Sequence, residues 1–503
     1  MWSAAEHASY GRTVAGGLLE GDLSPVAGRL LGNGPEAWIA FDEEVRRVLR
    51  FSHGTPEGAR RLEARLCHPD GRIREAALAA WRRPPLELVL IRCADRVPQV
   101  RRRARRVLGQ VVAQHPVRNR DRARRALNLP MADDPARVLT ALVPLALRLG
   151  GRAHGGWAVE QLEAALSGRY SLLAAWWRPG LASTTWSWNS LTARQREGMF
   201  EHLADSADRP TRRFAARVAA ACGQYGAQEL ARRAATERDP VTARTWTDAA
   251  LAAMAAGGPD DGAVDALLAS RFAPVRAAGV TALRRAGRAA EAVDHLTDRA
   301  GRVRACARWL LRQDGGDPYA YLCALVTDPE RVSAYAVKGF REVAEQADGP
   351  LLYPLLHDPD GAVRAAALAA LRGLGLVVED AVLLALLEDP SASVSREAAL
   401  GLLRVAERPD ADALADRTGP EWPAHTRRAA FRLLRGRGGS AELRASVAMM
   451  TDPDPVLGRY ARSTVINWNW LSTLGEGEAH RAELGALLAR AAQVLDVRHL
   501  RLL

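Results

Sequence analysis

A short helical template that recurs at a near-constant interval constrains this chain more than any other feature in it. Val363-Arg364 opens a stretch with apolar or small residues at offsets +3, +4, +7 and +8: Ala366, Ala367, Ala370 and Leu371. The template starts again at Val275, Val303, Val332 and Thr426, and weaker copies start at Ile73, Val100, Thr211, Ala243, Val394 and Leu457. From Thr211 to Leu457 successive anchors lie 32, 32, 28, 29, 31, 31, 32 and 31 residues apart. The offsets mark one face of an α-helix, not a strand. A step of about 31 residues holds two helices of about three turns and two tight turns. Breakers such as His68-Pro69-Asp70-Gly71, Asp358-Pro359-Asp360-Gly361, Asp389-Pro390 and Asp452-Pro453 stand before several anchors. Proline stops one helix there, and Asp or Ser caps the next. No segment reads as a paired strand.

The V-R-x-x-A-x-x-A-L pattern resembles the HEAT-like repeats of phycobilisome-lyase-type and related bacterial proteins, over residues 56–115 and 206–475. The resemblance implies an all-α chain, a right-handed α-solenoid of stacked two-helix repeats of about 31 residues. A chain of 503 residues exceeds what one core organises, which suits such an array. The expected organisation is an N-terminal helical cap over 1–55, basic repeats over 56–115, and an irregular Trp-rich helical segment or degenerate repeats over 116–205. The regular array follows over 206–475, and a capping helix over 476–503. The step fails between Val100 and Thr211, where Trp176, Trp177, Trp186 and Trp188 fall, and Asn467-Trp468-Asn469-Trp470 echoes that stretch. Large aromatics at irregular joints read first as packing groups and second as a pocket.

Position +1 after the anchor is Arg in eight copies: Arg74, Arg101, Arg212, Arg244, Arg276, Arg304, Arg364 and Arg427. The ladder reads as structural: in HEAT-type arrays this Arg pairs with an aspartate of the repeat turn, a role that Asp70 and Asp360 fit. The charge distribution says more. Residues 46–125 hold 22 Arg and 7 acidic residues, a net of +15, so the rest of a chain of net +12 sums to −3. Arg101, Arg102, Arg103, Arg105 and Arg106 surround the apolar positions of one helix, and Arg118, Arg120, Arg122, Arg124 and Arg125 follow Pro116. In solenoids of this class the second helices line the concave surface. Arg101, Arg102, Arg105, Arg106, Arg118, Arg120, Arg122, Arg124 and Arg125 are therefore candidates for contact with an anionic partner, nucleic acid or an acidic protein. The bland alternative is a solvated face enriched by GC-rich codon usage, since Lys338 is the one lysine among 70 basic residues.

No residue set suggests catalysis, a cofactor or a metal. The eleven histidines are dispersed, and adjacent Cys67-His68 point about 100° apart on a helix, too far to share an ion. No Walker loop, G-x-S-x-G or H-E-x-x-H occurs. Acidic pairs Asp133-Asp134 and Asp260-Asp261 read as capping groups. Five scattered cysteines without C-x-x-C read as buried thiols of a reducing compartment. With no apolar stretch of membrane-spanning length and no secretory leader in view, a cytoplasmic monomer is expected. The expected function is a non-catalytic scaffold holding a protein partner in its concave groove. The first alternative is a nucleic-acid-binding solenoid using residues 46–125. The second is an alkylpurine DNA glycosylase of the HEAT-like type, whose site residues find no counterparts here.

Overall fold

The computed structural model describes residues 2–30, 33–52, 56–80, 85–113, 135–167, 193–403, 410–468 and 478–495. Among them the protein is all-α, with no strand. It forms two compact units, Met1–Gly279 and Val280–Leu503.

Ten of the eleven anchors open a helix, as the spacing predicts. Ile73, Val100, Thr211, Val275, Val303, Val363, Val394, Thr426 and Leu457 are each the third residue of theirs, and Ala243 is the fourth. Val332 departs from the pattern: it lies in the turn ahead of Ala334–Arg341, because Ser333 caps that helix by accepting from the Ala336 amide. Aspartate caps dominate elsewhere. Asp208, Asp239, Asp260, Asp360 and Asp454 each accept a backbone N–H of the following first turn, which otherwise lacks a partner. Asp260 thus caps as expected, while Asp133 and Asp134 lie outside the described residues.

Burial follows the helical wheel. The anchor and offsets +4, +7 and +8 fall within about 100° of arc, and +3 and +1 flank them on opposite sides. Ala367, Ala370 and Leu371 are accordingly buried, as are Ala307, Leu310 and Leu311, and Ala430, Leu433 and Leu434. The +3 residue varies from copy to copy: Phe214, Trp246, Ala366 and Ala429 are buried there, Ala278 and Cys306 half-buried, and Tyr335 and Tyr460 exposed. Sequential helices pack through this stripe, Gly361–Gly373 lying between Ala334–Arg341 and Ala392–Leu402 in the second unit.

At the start of the chain, Ala4–Leu19 packs on Pro35–Phe51, with Trp38, Phe41 and Val45 buried and Ile39, Val48 and Leu49 half-buried. Near its end, Glu478–Val494 packs on Gly439–Met449 and buries Leu487 and Ala491. Trp468 is buried and donates its indole N–H to the Gly439 carbonyl at 3.3 Å, a packing role. Trp176, Trp177, Trp186, Trp188 and Trp470 lie outside the described residues. None of the five cysteines forms a disulfide; Cys67 and Cys93 are buried, and burial pushes both thiols well above the usual thiol range.

Candidate anion-binding sites

The arginine ladder has one chemical purpose, repeated. A helix end leaves carbonyls without partners, and a guanidinium carries five donors in a fixed fork. Arg364 uses Nη1 to reach the carbonyls of Asp358 and Pro359, six and five residues back, at 2.6 and 3.0 Å. Arg74, Arg101, Arg212 and Arg276 bind the equivalent pair, while Arg304 keeps the first of them and Arg427 the second. The opposite edge, Nε and Nη2, meets a carboxylate: Asp95 for Arg74, Asp389 for Arg364 and Asp452 for Arg427, all at 2.7–2.9 Å.

That carboxylate corrects the assignment made from the repeat turns. Asp70 and Asp360 do not pair with their arginines, because each is spent on a backbone amide of its own helix, that of Arg72 or Ala362. The partner stands instead in the turn before the next anchored helix, five residues ahead of Val100, Val394 and Leu457. There Asp95, Asp389 and Asp452 each also accept the amide two residues on, which fixes the carboxylate for the fork. Arg212 reaches Glu237 at 3.1 Å, and Arg304 reaches farther, to Glu342 at the end of Ala334–Arg341. Arg244 stands apart: it is exposed and faces Asp248 on its own helix at 3.7 Å.

Part of the N-terminal positive charge is likewise internal. Arg92, 2% exposed, pairs with Asp42 and, at 3.2 Å, with Asp95, which also holds Arg74. Arg46 joins Asp42 at 3.3 Å, so the network ties Pro35–Phe51, Gly71–Ala80 and Leu86–Cys93 together. Burial opposes the charge on Arg92, and the two carboxylates outweigh it, so its pKa lies above the ordinary guanidinium value.

The candidate residues divide accordingly. Arg101 is committed to the Asp95 and Arg96 carbonyls. Arg105 donates to the carbonyls of Cys93 and His154 and stacks 4.6 Å from the Trp157 ring centroid, and its partial burial lowers its pKa. Arg102 and Arg106, one turn apart, are exposed and make no ion pair among the described residues. Arg118, Arg120, Arg122, Arg124 and Arg125 lie outside the described residues. Of the predicted track, two side chains in view are available to a partner.

Sequence reasoning missed a cationic cleft in the second unit. Arg304, Lys338, Arg341 and Arg372 line a cavity of about 490 Å³ with a single carboxylate, Glu342, among the lining residues. Arg304 and Arg308 both hold that carboxylate; burial works against its charge, and the two guanidinium groups more than offset this, keeping its pKa below the usual value. Arg372 pairs with Glu397. Ala366, Ala369 and Gly373 form a floor with almost no side chain. The one weak signal in the sequence is the position of the chain's single lysine.

Among the described residues no group of His, Cys, Asp or Glu is placed to hold a metal, and no helix is long and apolar enough to cross a membrane. Searched against models of known protein families, the chain matches none, and no curated protein matches it.

Proposed function

We propose that each unit is a right-handed α-solenoid of HEAT-like repeats, and that the chain is a non-catalytic scaffold, a cytoplasmic monomer that takes a protein partner on the surface its second helices line. The observation behind this reading is the arginine junction. The same acceptor set, carbonyls five and six residues back and a carboxylate before the next anchor, occurs at Arg74 in one unit and at Arg364 in the other. Identical junctions at a fixed step are what a stack of like units requires, each contacting only its neighbours. The junction also leaves the far side of each helix uncommitted: offset +6 places Trp309 and Lys338 in solvent. Fold supports a binding role without naming the partner.

A photo-crosslinking residue placed at Trp309 or Ala369 tests this. With nuclease present it should capture one protein species from native lysate, and the same group at exposed Arg232, on a first helix, should not. Equal capture from both faces, or none, rejects the scaffold reading.

A second reading, nucleic-acid binding by residues 46–125, is favoured by the exposure of Arg102 and Arg106. It requires steep salt dependence, because each phosphate contact releases a counterion. The glycosylase alternative requires base release from alkylated DNA, which neither other reading produces.

A further inference from the structure

The cleft of the second unit is not part of the N-terminal basic block, and it is built for a smaller guest. Its charges sort into two kinds. Arg304 is closed by Glu342, and Arg372 is engaged by Glu397. Lys338 and Arg341 make no ion pair among the described residues. Two cations thus stand unneutralised at the mouth of a cleft whose walls already hold two guanidinium groups. Like charges held together beside low-dielectric protein repel, and an anion seated between them removes that repulsion.

The geometry keeps the space open. A Cβ added at Gly373 would fall 2.3 Å from Arg341 Nη1, so the guanidinium lies across bare backbone that any side chain would occupy. Ala366 and Ala369 continue the shallow floor along the same helix face. Lys338 Nζ rests 4.8 Å from the Tyr335 ring centroid, a weak cation–π contact that leaves the ammonium in water and able to swing. A planar fork and a mobile point charge are complementary means of holding tetrahedral oxygens: the fork takes two, and the ammonium follows a third. Two free positive charges match a doubly charged group better than a single carboxylate. The cavity volume falls in the range of small-molecule pockets, well beyond a bare ion.

We propose that this cleft is a binding site for a phosphoryl group, free or carried by a small molecule. The site does not depend on the scaffold reading: it stands on the cavity, and it holds whether or not a protein partner lies on the same face.

The test is calorimetric titration of the full chain with inorganic phosphate, pyrophosphate and a hexose 6-phosphate. Saturable binding of at least one of them at a single site is expected, weakened at least about tenfold in Lys338→Ala/Arg341→Ala. A second variant, Gly373→Leu, displaces the end of the flexible Arg341 side chain while leaving both cations in place. It should weaken binding similarly with helicity and melting temperature unchanged. Equal affinity for phosphate and the hexose phosphate identifies the free ion as the ligand; tighter binding of the hexose phosphate puts a carrier in the remaining volume; both support the site. Absence of saturable binding by all three probes overturns it, as does binding that both variants leave intact. A single-stranded oligonucleotide whose binding the double variant abolishes, and which none of the small phosphates displaces, would make the cleft part of a polynucleotide track and overturn the proposal as well.

Discussion

Arg364 and Asp389, 25 residues apart, meet in a two-pronged ion pair, Nε to Oδ2 at 2.8 Å and Nη2 to Oδ1 at 2.7 Å, while Arg364 Nη1 closes the preceding helix end. One side chain therefore joins three pieces of backbone: its own helix, the turn before it and the turn after the next. Arg364→Ala leaves a mostly buried Asp389 carboxylate with only the Ser391 amide, and two carbonyls without the Arg364 donor. The expected loss is about 3 kcal/mol. Arg102→Ala, at an exposed position, should change stability by less than about 0.5 kcal/mol. Urea denaturation of the two variants beside the parent protein measures both.

Asp239, paired with the residue next to ladder Arg212, gives the first unit a pH dependence. Arg213 donates to it at 2.9 Å through both Nε and Nη2, and the Thr242 amide and hydroxyl add to it. The Arg213 bonds, outweighing burial, hold its carboxyl far below the usual carboxylate range. A depressed folded-state pKa contributes stability that is complete above the unfolded value, about 3.9, and is lost as pH falls towards the folded one. The stability gap between the parent and Asp239→Asn should be constant from pH 7 to 5 and shrink between about pH 4 and 2. Asn keeps the helix cap, so the comparison isolates the charge. A gap that is flat down to pH 2 contradicts the assignment.

Leu371 is fully buried at the +8 position, between helices on either side. Leu371→Ala removes packed atoms the neighbours cannot replace and should cost about 2–4 kcal/mol. Ala369, at an outward offset of the same helix, should accept Ser with little change. Thermal or chaotrope midpoints distinguish the two positions directly.

For the N-terminal block, reversing Arg105 would break its carbonyl bonds and its Trp157 contact, confusing folding with binding. Arg102→Glu/Arg106→Glu is the cleaner variant. If those two side chains touch duplex phosphates, the slope of log K against log salt should flatten by about 2, at nearly unchanged melting temperature. An unchanged slope would leave the pair as solvated surface or as contacts for an acidic protein, which a pull-down with the same variant separates.

The helices were legible in the sequence because their signal is local. Offsets +4, +7 and +8 from Val303, Val363 or Thr426 need only the pitch of one helix, and the Asp and Pro residues ahead of them act within a turn. The same locality explains the failures. Val332 matched the apolar spacing, but a stronger cap at Ser333 moved the helix start beyond it. Asp70 and Asp360 were nearest in sequence to their arginines, and helix capping had already claimed them. The true partners sit 21 to 25 residues on, a distance set by how the chain returns, which no short pattern encodes. The cleft was less accessible still, since Arg304, Lys338, Arg341 and Arg372 come from three helices and share no contiguous motif. Net charge pointed towards residues 46–125, yet a count of arginines cannot tell a guanidinium buried beside Asp42, like Arg92, from one in water, like Arg102.

The forks of Arg74, Arg364 and Arg427 all run the same way along the chain, each from a helix to a turn made later. During translation Arg364 leaves the ribosome with its carbonyl partners already present and its carboxylate still unwritten. The newest helix of a growing chain is therefore latched on one edge only, and it locks when about 25 further residues have emerged. A nascent chain stalled between Arg364 and Asp389 would end on an open latch. Truncations should tolerate cuts placed just after a receiving aspartate better than cuts placed just before one.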